Sequence, residues 1–325
     1  MIITKTPLRI SFFGGGSDYP SWYEKNNNFG EVLSCTIDKY IYISLKDSQK
    51  FSKYKYLIKY SKVEKVSEIK NIRHPVIKNA LKYFKIKKYI ELHSNADIPA
   101  KTGMGTSSAF TVGLIKAIYG LNNKIISRKQ LANLSTYFEH KIIKENVGSQ
   151  DQYAASYGGF NNFKFFKNKT LVKKYDLSDD YFRNLNKNLF LFFTGQTMAS
   201  NRITSKFIHN LNKKKKIINN LIKNVKTAKK IINKKELDSF GYLLDETWSQ
   251  KKQIYKNITN PGINFYYDMG KKNGALGGKL LGAGGRGFIL YYVPKKNQEK
   301  FIRKFKKQIL PFNFTGDGSE IILKN

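Results

Sequence analysis

The chain has 325 residues, of which 41% are hydrophobic and 14% aromatic. This length suits one large or two medium-sized folded domains, and the composition excludes an intrinsically disordered chain. No stretch is apolar and long enough to span a bilayer as a helix. The only cysteine is Cys35, and the N-terminus has no basic and then apolar leader. We therefore expect a cytoplasmic protein with neither a disulfide framework nor a membrane partner.

The formal net charge is +36, from 59 Lys and Arg against 23 Asp and Glu. Nucleic-acid binding is one explanation, because Lys and Arg neutralise phosphates. The lysines are spread from Lys5 to Lys324, however, and the dense run from Lys213 to Lys216 precedes apolar residues at helical spacing. We therefore interpret the charge as a solvated surface that steers anions, with no nucleic acid as partner.

Apolar and alternating patterns predict a succession of strands before residue 195. A mostly helical segment is predicted after it, followed by further strands towards the C-terminus. The predicted strands cover residues 2–13, 32–46, 54–60, 89–93, 159–166, 170–175, 189–194, 276–281, 288–293 and 320–323. Helices are predicted at residues 76–84 and 298–308, from about residue 107, and from a capping box formed by Ser127 and Gln130. The strands at 32–46 and 54–60 are expected to be antiparallel.

Residues 99–109, PAKTGMGTSSA, place glycines directly before one of these helices. Glycine lets the backbone approach an anion closely, and a helix N-terminus offers it unpaired N–H groups and a positive dipole end. The pattern predicts a phosphate-binding loop formed by Gly103, Met104, Gly105, Thr106, Ser107 and Ser108. The Gly-Lys-Ser/Thr ending of a P-loop is absent. Taken alone, an ordinary capped helix start explains the pattern equally well.

Two further motifs accompany this loop, and all three resemble those of the GHMP kinases, which include galactokinase, homoserine kinase, mevalonate kinase and phosphomevalonate kinase. The first motif resembles residues 6–19, TPLRISFFGGGSDY, the second residues 99–109, and the third residues 279–287, KLLGAGGRG. The resemblance implies a small-molecule kinase with ATP and Mg²⁺ as cofactors. It also implies a two-lobe α+β fold, with a ribosomal-protein-S5-domain-2-like N-terminal lobe at 1–180 and a ferredoxin-like C-terminal lobe at 181–325.

The same resemblance implies roles for single residues. Asp151 is expected to be the catalytic base with Arg9 beside it, and Ser107 and Glu139 are expected to hold Mg²⁺. An alignment shifted by one position would replace Ser107 with its neighbour Thr106 or Ser108. Substrate contacts are implied for Gly16, Ser17, Asp18, Gly284, Gly285 and Arg286. These residue types suit phosphoryl transfer, which depends on positioning and charge stabilisation, with a hydroxyl and a carboxylate for a hard cation.

The acceptor is also suggested by the resemblance. The first motif has Gly15-Gly16 where galactokinases have a Glu-His pair, which argues against galactose. Residues 12–22 and 106–114 most resemble the bacterial D-glycero-D-manno-heptose 7-phosphate kinases, which phosphorylate the anomeric hydroxyl on the way to nucleotide-activated heptose for surface polysaccharide. That implies a sugar phosphate as substrate and the 1,7-bisphosphate as product. Candidate cations for the acceptor phosphate are Lys101, Arg202, Lys279 and Arg286.

Three alternatives stay open. They are another GHMP sugar 1-kinase of the hexose or fucose type, a non-catalytic sugar sensor on the same fold, and a nucleic-acid-binding protein. The joint presence of Ser107, Glu139, Arg9 and Asp151 disfavours the sensor. The lack of a clustered basic face with stacking aromatics disfavours nucleic acid. The sequence leaves the oligomeric state open, with a homodimer among the alternatives.

Overall fold

The structure, a computed structural model, describes residues 1–25, 28–48, 53–195 and 212–325. Its strands are β1 Ile2–Phe13, β2 Gly30–Asp47, β3 Tyr56–Lys59, β4 Val63–Val66, β5 Ile90–Ala96, β6 Phe160–Phe165, β7 Thr170–Tyr175, β8 Leu189–Phe193, β9 Gly277–Leu280, β10 Phe288–Tyr292, β11 Ile309–Leu310 and β12 Glu320–Lys324. Its α-helices are α1 Pro20–Tyr23, α2 Pro75–Tyr83, α3 Thr106–Leu121, α4 Arg128–Tyr137, α5 Gln150–Tyr157, α6 Asp180–Lys187, α7 Lys215–Asn233, α8 Leu237–Lys252, α9 Pro261–Lys272 and α10 Gln298–Phe305.

The larger sheet is built around the long strand β2, and its strand order is β12-β1-β2-β5-β3-β4. The second half of β2 pairs with β5, and its first half pairs with β6, which in turn pairs with β7. Helix α3 packs across β1 and β2, so β1 is buried over nearly its whole length. The strand ends at Gly14, whose φ of 79° stops the extended backbone.

The smaller sheet has the order β11-β8-β10-β9, and α8 packs on β9 and β10. Two aromatic contacts join this part of the chain to the end of β1. The ring of Phe240 in α8 lies 5.4 Å from that of Phe12 and 5.0 Å from that of Phe13, both edge to face. Such pairs add specific geometry to the burial of apolar area. The end of β1 and the loop after it are therefore held against the C-terminal half of the chain.

Most predicted elements are confirmed, including the α+β architecture and the first strand with its exact bounds, Ile2–Phe13. The capping box is confirmed, since Ser127 Oγ accepts from Gln130 N and Ser127 N donates to Gln130 Oε1. The expected antiparallel pairing of 54–60 is only partly right, because β3 runs parallel to β5 and antiparallel to β4. Helices α5 and α6 were not predicted from the sequence.

The division at residue 180 stays a prediction, but one feature complicates it. Strand β12, from the far end of the sequence, pairs antiparallel with β1, with Ile2 opposite Lys324. Strands β1–β7 thus belong to the larger sheet and β8–β11 to the smaller sheet, and the last strand, β12, belongs to the larger sheet again. The last residues contribute to the larger sheet in spite of their position in the sequence. Among the described residues, no helix is long and apolar enough to cross a membrane.

Candidate active site

The predicted phosphate loop lies at the N-terminus of α3. Gly103 and Gly105 have φ of 83° and 76°, in the left-handed region that favours glycine, and Gly105 is the N-cap residue of the helix. The first backbone bond of the helix runs from Ala109 N to Gly105 O at 2.9 Å. The N–H groups of Thr106, Ser107 and Ser108 precede it and point out of the helix end, where an anion can accept from them. The side chain of Met104 is fully buried.

The third motif packs on this loop backbone to backbone. A Cβ atom on Gly282 would lie 2.5 Å from Gly103 Cα, and one on Gly287 would lie 2.2 Å from Thr102 O. Gly284 and Gly285 contact Ile258, whose carbonyl accepts from Gly285 N at 2.8 Å. The motif therefore supports the phosphate loop from the C-terminal half. The substrate contacts implied for Gly284, Gly285 and Arg286 stay predictions.

Arg9 and Asp151 form a bidentate ion pair beside the same loop. Arg9 Nε and Nη2 donate to the two carboxylate oxygens of Asp151 at 2.7 and 2.9 Å, and Arg9 Nη1 donates to Gly103 O at 2.7 Å. A Cβ atom on Gly105 would lie 3.3 Å from both Arg9 Cγ and Asp151 Oδ2. The side chain of Arg9 is 6% exposed and that of Asp151 is 21% exposed. The carboxylate thus remains accessible while its orientation is fixed by two charge-assisted bonds.

A second carboxylate, Glu139, is buried under the start of α3. It lies on a turn of π-helix, Phe138–Ile143, that continues α4. Ser108 Oγ donates to Glu139 Oε2 at 2.8 Å, and the amide of Gln152 in α5 donates to the same oxygen. Burial raises the pKa of Glu139 to about 7, although the hydrogen bonds from Ser108 and Gln152 act in the opposite direction. Its other oxygen, Oε1, makes no hydrogen bond with the described residues.

This arrangement fits a divalent cation. A buried carboxylate oxygen without a partner, next to a serine hydroxyl, is a donor set that Mg²⁺ prefers. The described residues contain no group of three or more His, Cys, Asp and Glu placed to hold a metal. Glu139 would therefore be accompanied by few protein ligands, as is usual where phosphates complete the coordination of Mg²⁺.

The serine beside Glu139 differs from the one implied by the motif. The structure places Ser108 on Glu139, whereas the side chain of Ser107 is exposed. Successive residues of an α-helix point about 100° apart, so an offset of one residue decides which hydroxyl faces the carboxylate. The role of Ser107 as a magnesium ligand stays a prediction, and Ser108 joins it as a candidate.

Asp18 lies where the first glycine loop meets the start of α5. Its carboxylate accepts from Gly16 N at 2.9 Å and from Gln150 N at 3.4 Å, and Ser149 N donates to its carbonyl at 2.9 Å. Burial raises the pKa of Asp18, and the negative charge of Asp151 adds to this effect. The backbone contacts tie the first loop to the helix that carries Asp151.

Ser17, also expected to contact substrate, has its hydroxyl occupied within the protein. It donates to Gly14 O at 2.8 Å and accepts from Glu31 N at 3.0 Å, and the residue is fully buried. These bonds shape the turn between β1 and β2. The structure therefore gives Ser17 a role in holding the loop, and the implied substrate contact stays a prediction.

The four candidate cations for an acceptor phosphate have different surroundings. Lys101 is exposed, Arg286 is half-buried, and Lys279 is 3% exposed. Arg202 lies outside the described residues. The structure adds polar residues that the sequence did not single out, namely Ser11, Gln150, Gln152 and Lys251. The two glutamines flank Asp151 in the sequence, which was an available signal, whereas Lys251 stands in a Lys-Lys pair typical of a solvated helix end.

Gly148 offers a test of the position of Asp18. A Cβ atom at Gly148 would lie 1.9 Å from Asp18 Oδ2, so Gly148→Ala must displace that carboxylate. Because a displacement of about 1 Å in a site can cost roughly 10²-fold in rate, we expect a fall of about that size in turnover. Steady-state kinetics on the purified variant measures it. Gly316→Ala is the matched control, since a Cβ atom there meets nothing within 4 Å; equal behaviour of the two variants would contradict the role of Asp18.

Comparisons with known proteins agree with this geometry. Residues 71–159 match the family GHMP kinases N terminal domain. The chain is 28% identical over 335 residues to D-glycero-alpha-D-manno-heptose 7-phosphate kinase of Campylobacter jejuni, with 98% of this chain and 97% of the relative covered. It is 24% identical to mevalonate kinase of Methanocaldococcus jannaschii, over 94% of this chain and 96% of the relative.

Solved structures show the same fold. A D-glycero-D-manno-heptose 1-phosphate kinase from Bacteroides thetaiotaomicron has a TM-score of 0.78 at 23% identity, with 98% of both chains covered. A Lactococcus lactis galactokinase complexed with galactose has a TM-score of 0.71 at 18% identity, over 98% of this chain and 94% of that one. Residues 71–159 are thus similar to the GHMP kinase N-terminal domain, and over nearly its whole length the chain is similar to sugar and mevalonate kinases, which are phosphotransferases with an alcohol group as acceptor.

Proposed function

We propose that this protein is an ATP- and Mg²⁺-dependent sugar kinase that phosphorylates the anomeric hydroxyl of D-glycero-D-manno-heptose 7-phosphate. The observation that carries the proposal is the ion pair of Arg9 and Asp151, which lies against Gly105 at the mouth of the phosphate loop. A carboxylate in that position is next to the place where the terminal phosphate of a nucleotide would lie. That is where a base for an acceptor hydroxyl is needed.

The reaction forms a bond between the acceptor oxygen and the γ-phosphorus of ATP and breaks the bond from that phosphorus to the β,γ-bridging oxygen. Asp151 takes the proton from the acceptor hydroxyl. Arg9 holds Asp151 in place and offers positive charge to the transferring group, while the N–H groups of α3 bind the phosphates. Mg²⁺, when held by Glu139 with Ser108 or Ser107, supplies charge neutralisation of the phosphate oxygens.

The acceptor is proposed from three lines of support. The relative from Campylobacter jejuni is named as a heptose 7-phosphate kinase and aligns over almost the whole of both chains. Gly15-Gly16 replaces the Glu-His pair of galactokinases. The high positive charge suits two anionic substrates. The product would be the 1,7-bisphosphate, used for nucleotide-heptose and surface polysaccharide synthesis in the cytoplasm. A hexose or fucose 1-kinase is the second candidate, since a fucokinase of Arabidopsis thaliana is 22% identical over 92% of this chain.

An assay of ADP release over a panel of acceptors tests the proposal. The panel contains heptose 7-phosphate, the unphosphorylated heptose, fucose, galactose and mevalonate, with a reaction lacking acceptor as the control. We expect the highest kcat/KM with heptose 7-phosphate. Highest turnover with fucose or another neutral sugar would reject the heptose phosphate while leaving the kinase in place.

The charge of the protein gives a further prediction. Because the Debye length falls from about 30 Å at 0.01 M salt to about 3 Å at 1 M, we expect kcat/KM for heptose 7-phosphate to drop roughly tenfold or more across that range. A neutral acceptor at saturating ATP should show a much weaker dependence. Identical salt dependence for the two acceptors would contradict electrostatic steering of the sugar phosphate.

A further inference from the structure

Two lysine side chains are buried close to the site described above. Lys251, near the end of α8, is 7% exposed, and Lys279, in β9, is 3% exposed. Removing an ammonium group from water is costly unless a negative charge or a full set of hydrogen bonds replaces the water. Two other buried charges meet that requirement, since Arg9 pairs with Asp151 and the buried Glu31 pairs with Lys229.

Neither buried lysine has a carboxylate partner among the described residues. Lys251 Nζ donates to Gly282 O at 2.6 Å. Lys279 Nζ donates to Ser11 O at 2.9 Å and to Phe12 O at 2.7 Å. An ammonium group has three N–H donors, so these bonds leave two donors on Lys251 and one on Lys279. The two amines are thus held in place by carbonyl groups and form no salt bridge in the described part of the chain, although the negative charge of Asp18 acts on both.

Both amines lie close to the phosphate loop and to the first glycine loop, residues 14–19, which we call the acceptor loop. Along β1, Arg9 N donates to Met104 O of the phosphate loop, and Lys279 follows at Ser11 and Phe12, just before the glycines of residues 14–16. Lys251 holds Gly282, which touches Gly103. Burial lowers the pKa of Lys251 to about 8 and that of Lys279 well below its usual range. The positive charge of Lys251 lowers the pKa of Lys279 further. The charge of Arg9 lowers the pKa of both lysines, and the negative charge of Asp18 opposes both effects.

Unpartnered polar atoms lie at the same place. Ser11 Oγ and Gln150 Oε1 are buried without a hydrogen-bond partner in the described part of the chain, and their residues are 6% and 8% exposed. A Cβ atom on Gly15 would lie 3.4 Å from Ser11 Oγ and 3.8 Å from Gln150 Nε2. The absent side chain of Gly15 therefore leaves space beside the hydroxyl of Ser11 and the amide of Gln150. The carbonyl of the same Ser11 accepts from the Lys279 amine.

We infer that Lys251 and Lys279 bind the phosphate group carried by the acceptor, while Ser11 and Gln150 contact its hydroxyl groups. The inference rests on the proposed function and assigns the residues that select a phosphorylated acceptor. A phosphate dianion supplies a salt-bridge partner and enough oxygens for the three unused N–H groups. The nucleotide phosphates have a separate site, at the N-terminus of α3 and beside Glu139. Lys279 was one of the candidate cations for the acceptor phosphate that the sequence suggested. Lys251 was not among them and is added from the structure.

Lysine-to-methionine variants test the inference, because methionine keeps an unbranched side chain and removes the charge. For Lys251→Met and Lys279→Met, losing charge-assisted bonds to phosphate should raise the KM for heptose 7-phosphate by about 10–100-fold. The KM for ATP and the kcat/KM for the unphosphorylated heptose should stay within about twofold of the values of the unchanged enzyme. The reason is that the two lysines would contact neither ATP nor a sugar without phosphate. Lys252→Met, one residue further along the same helix, is the matched control.

The outcomes separate this inference from the proposed function. An equal rise in the KM for ATP, or equal losses with both acceptors, would overturn the assignment. If the lysines are purely structural, their replacement would lower the melting temperature. If they are unpaired buried charges kept for phosphate binding, replacement is expected to leave the melting temperature unchanged or to raise it. If the unchanged enzyme uses heptose 7-phosphate no better than the neutral sugar, the inference and the choice of substrate both fail.

A measurement on the unchanged protein covers the case in which a variant does not fold. At pH 8, where a phosphate monoester is already a dianion, binding of heptose 7-phosphate should draw protons onto the two amines. The other charged groups around them are Arg9 from β1 and Asp18 from the acceptor loop. Calorimetry in two buffers of different ionisation enthalpy should show net proton uptake. Binding without proton uptake would overturn the inference.

Discussion

Asp151→Asn is expected to lower kcat by about 10²–10⁴-fold, the usual contribution of a general base. The amide keeps the shape of the side chain but cannot take up the proton of the acceptor hydroxyl. Arg9 would still donate to Gly103 O, the bond that joins it to the phosphate loop. We therefore expect the KM for ATP to change little. Steady-state kinetics and nucleotide binding by calorimetry measure the two effects.

A matched control for this variant is Asp180→Asn, which makes the same chemical change at an exposed side chain paired with Arg183. That variant should behave like the unchanged enzyme. Near-normal turnover by Asp151→Asn would show that the ion pair with Arg9 is structural. The assignment of the base would then be wrong even if the protein is a kinase.

Removal of magnesium is expected to reduce turnover to background, and Glu139→Gln to reproduce much of that loss at ordinary magnesium concentrations. The change removes the anionic oxygen that the site offers to the cation while keeping the acceptor for Ser108. Turnover measured over a series of magnesium concentrations, with and without excess chelator, tests both parts. Full activity in excess chelator would contradict the proposed role of Glu139.

The thermal stability of Glu139→Gln distinguishes a functional role of Glu139 from a structural one. The folded pKa of Glu139 is raised to about 7 by burial, so the folded state binds a proton more readily than the unfolded state. This contribution to stability is present at low pH and is lost as the pH rises through about 7. Without magnesium at pH 8, Glu139→Gln should therefore melt at or above the temperature of the unchanged protein. A clear drop in melting temperature would indicate that Glu139 is needed for folding.

Local signals predicted much of the fold. The strand Ile2–Phe13 is an apolar run that ends at glycine, and the helix after Ser127 begins with a complete capping box. Such elements depend on residues close together in sequence, so patterns of spacing identify them. The structure places Asp151 beside Arg9, whereas phosphate binding by the loop before α3 stays a prediction.

What the sequence could not provide depends on contacts between distant residues. The π-helical turn at Phe138–Ile143 has no local marker, yet it carries Glu139. The choice of Ser108 over Ser107 follows from the rotation of a helix about its axis. Lys251 resembles a surface lysine until α8 is packed against the third glycine motif. The pairing of β12 with β1 joins the two ends of the chain and has no signal at short range.

Phosphorus NMR of the products tests the central claim, transfer of a phosphoryl group to a sugar phosphate, most directly. The enzyme would be incubated with ATP, Mg²⁺ and heptose 7-phosphate, with the Asp151→Asn variant in parallel. We predict equal amounts of ADP and of a new anomeric phosphate ester, while the phosphate at C7 is retained. Release of inorganic phosphate in place of a second sugar ester, or no loss of ATP with this acceptor, would contradict the account.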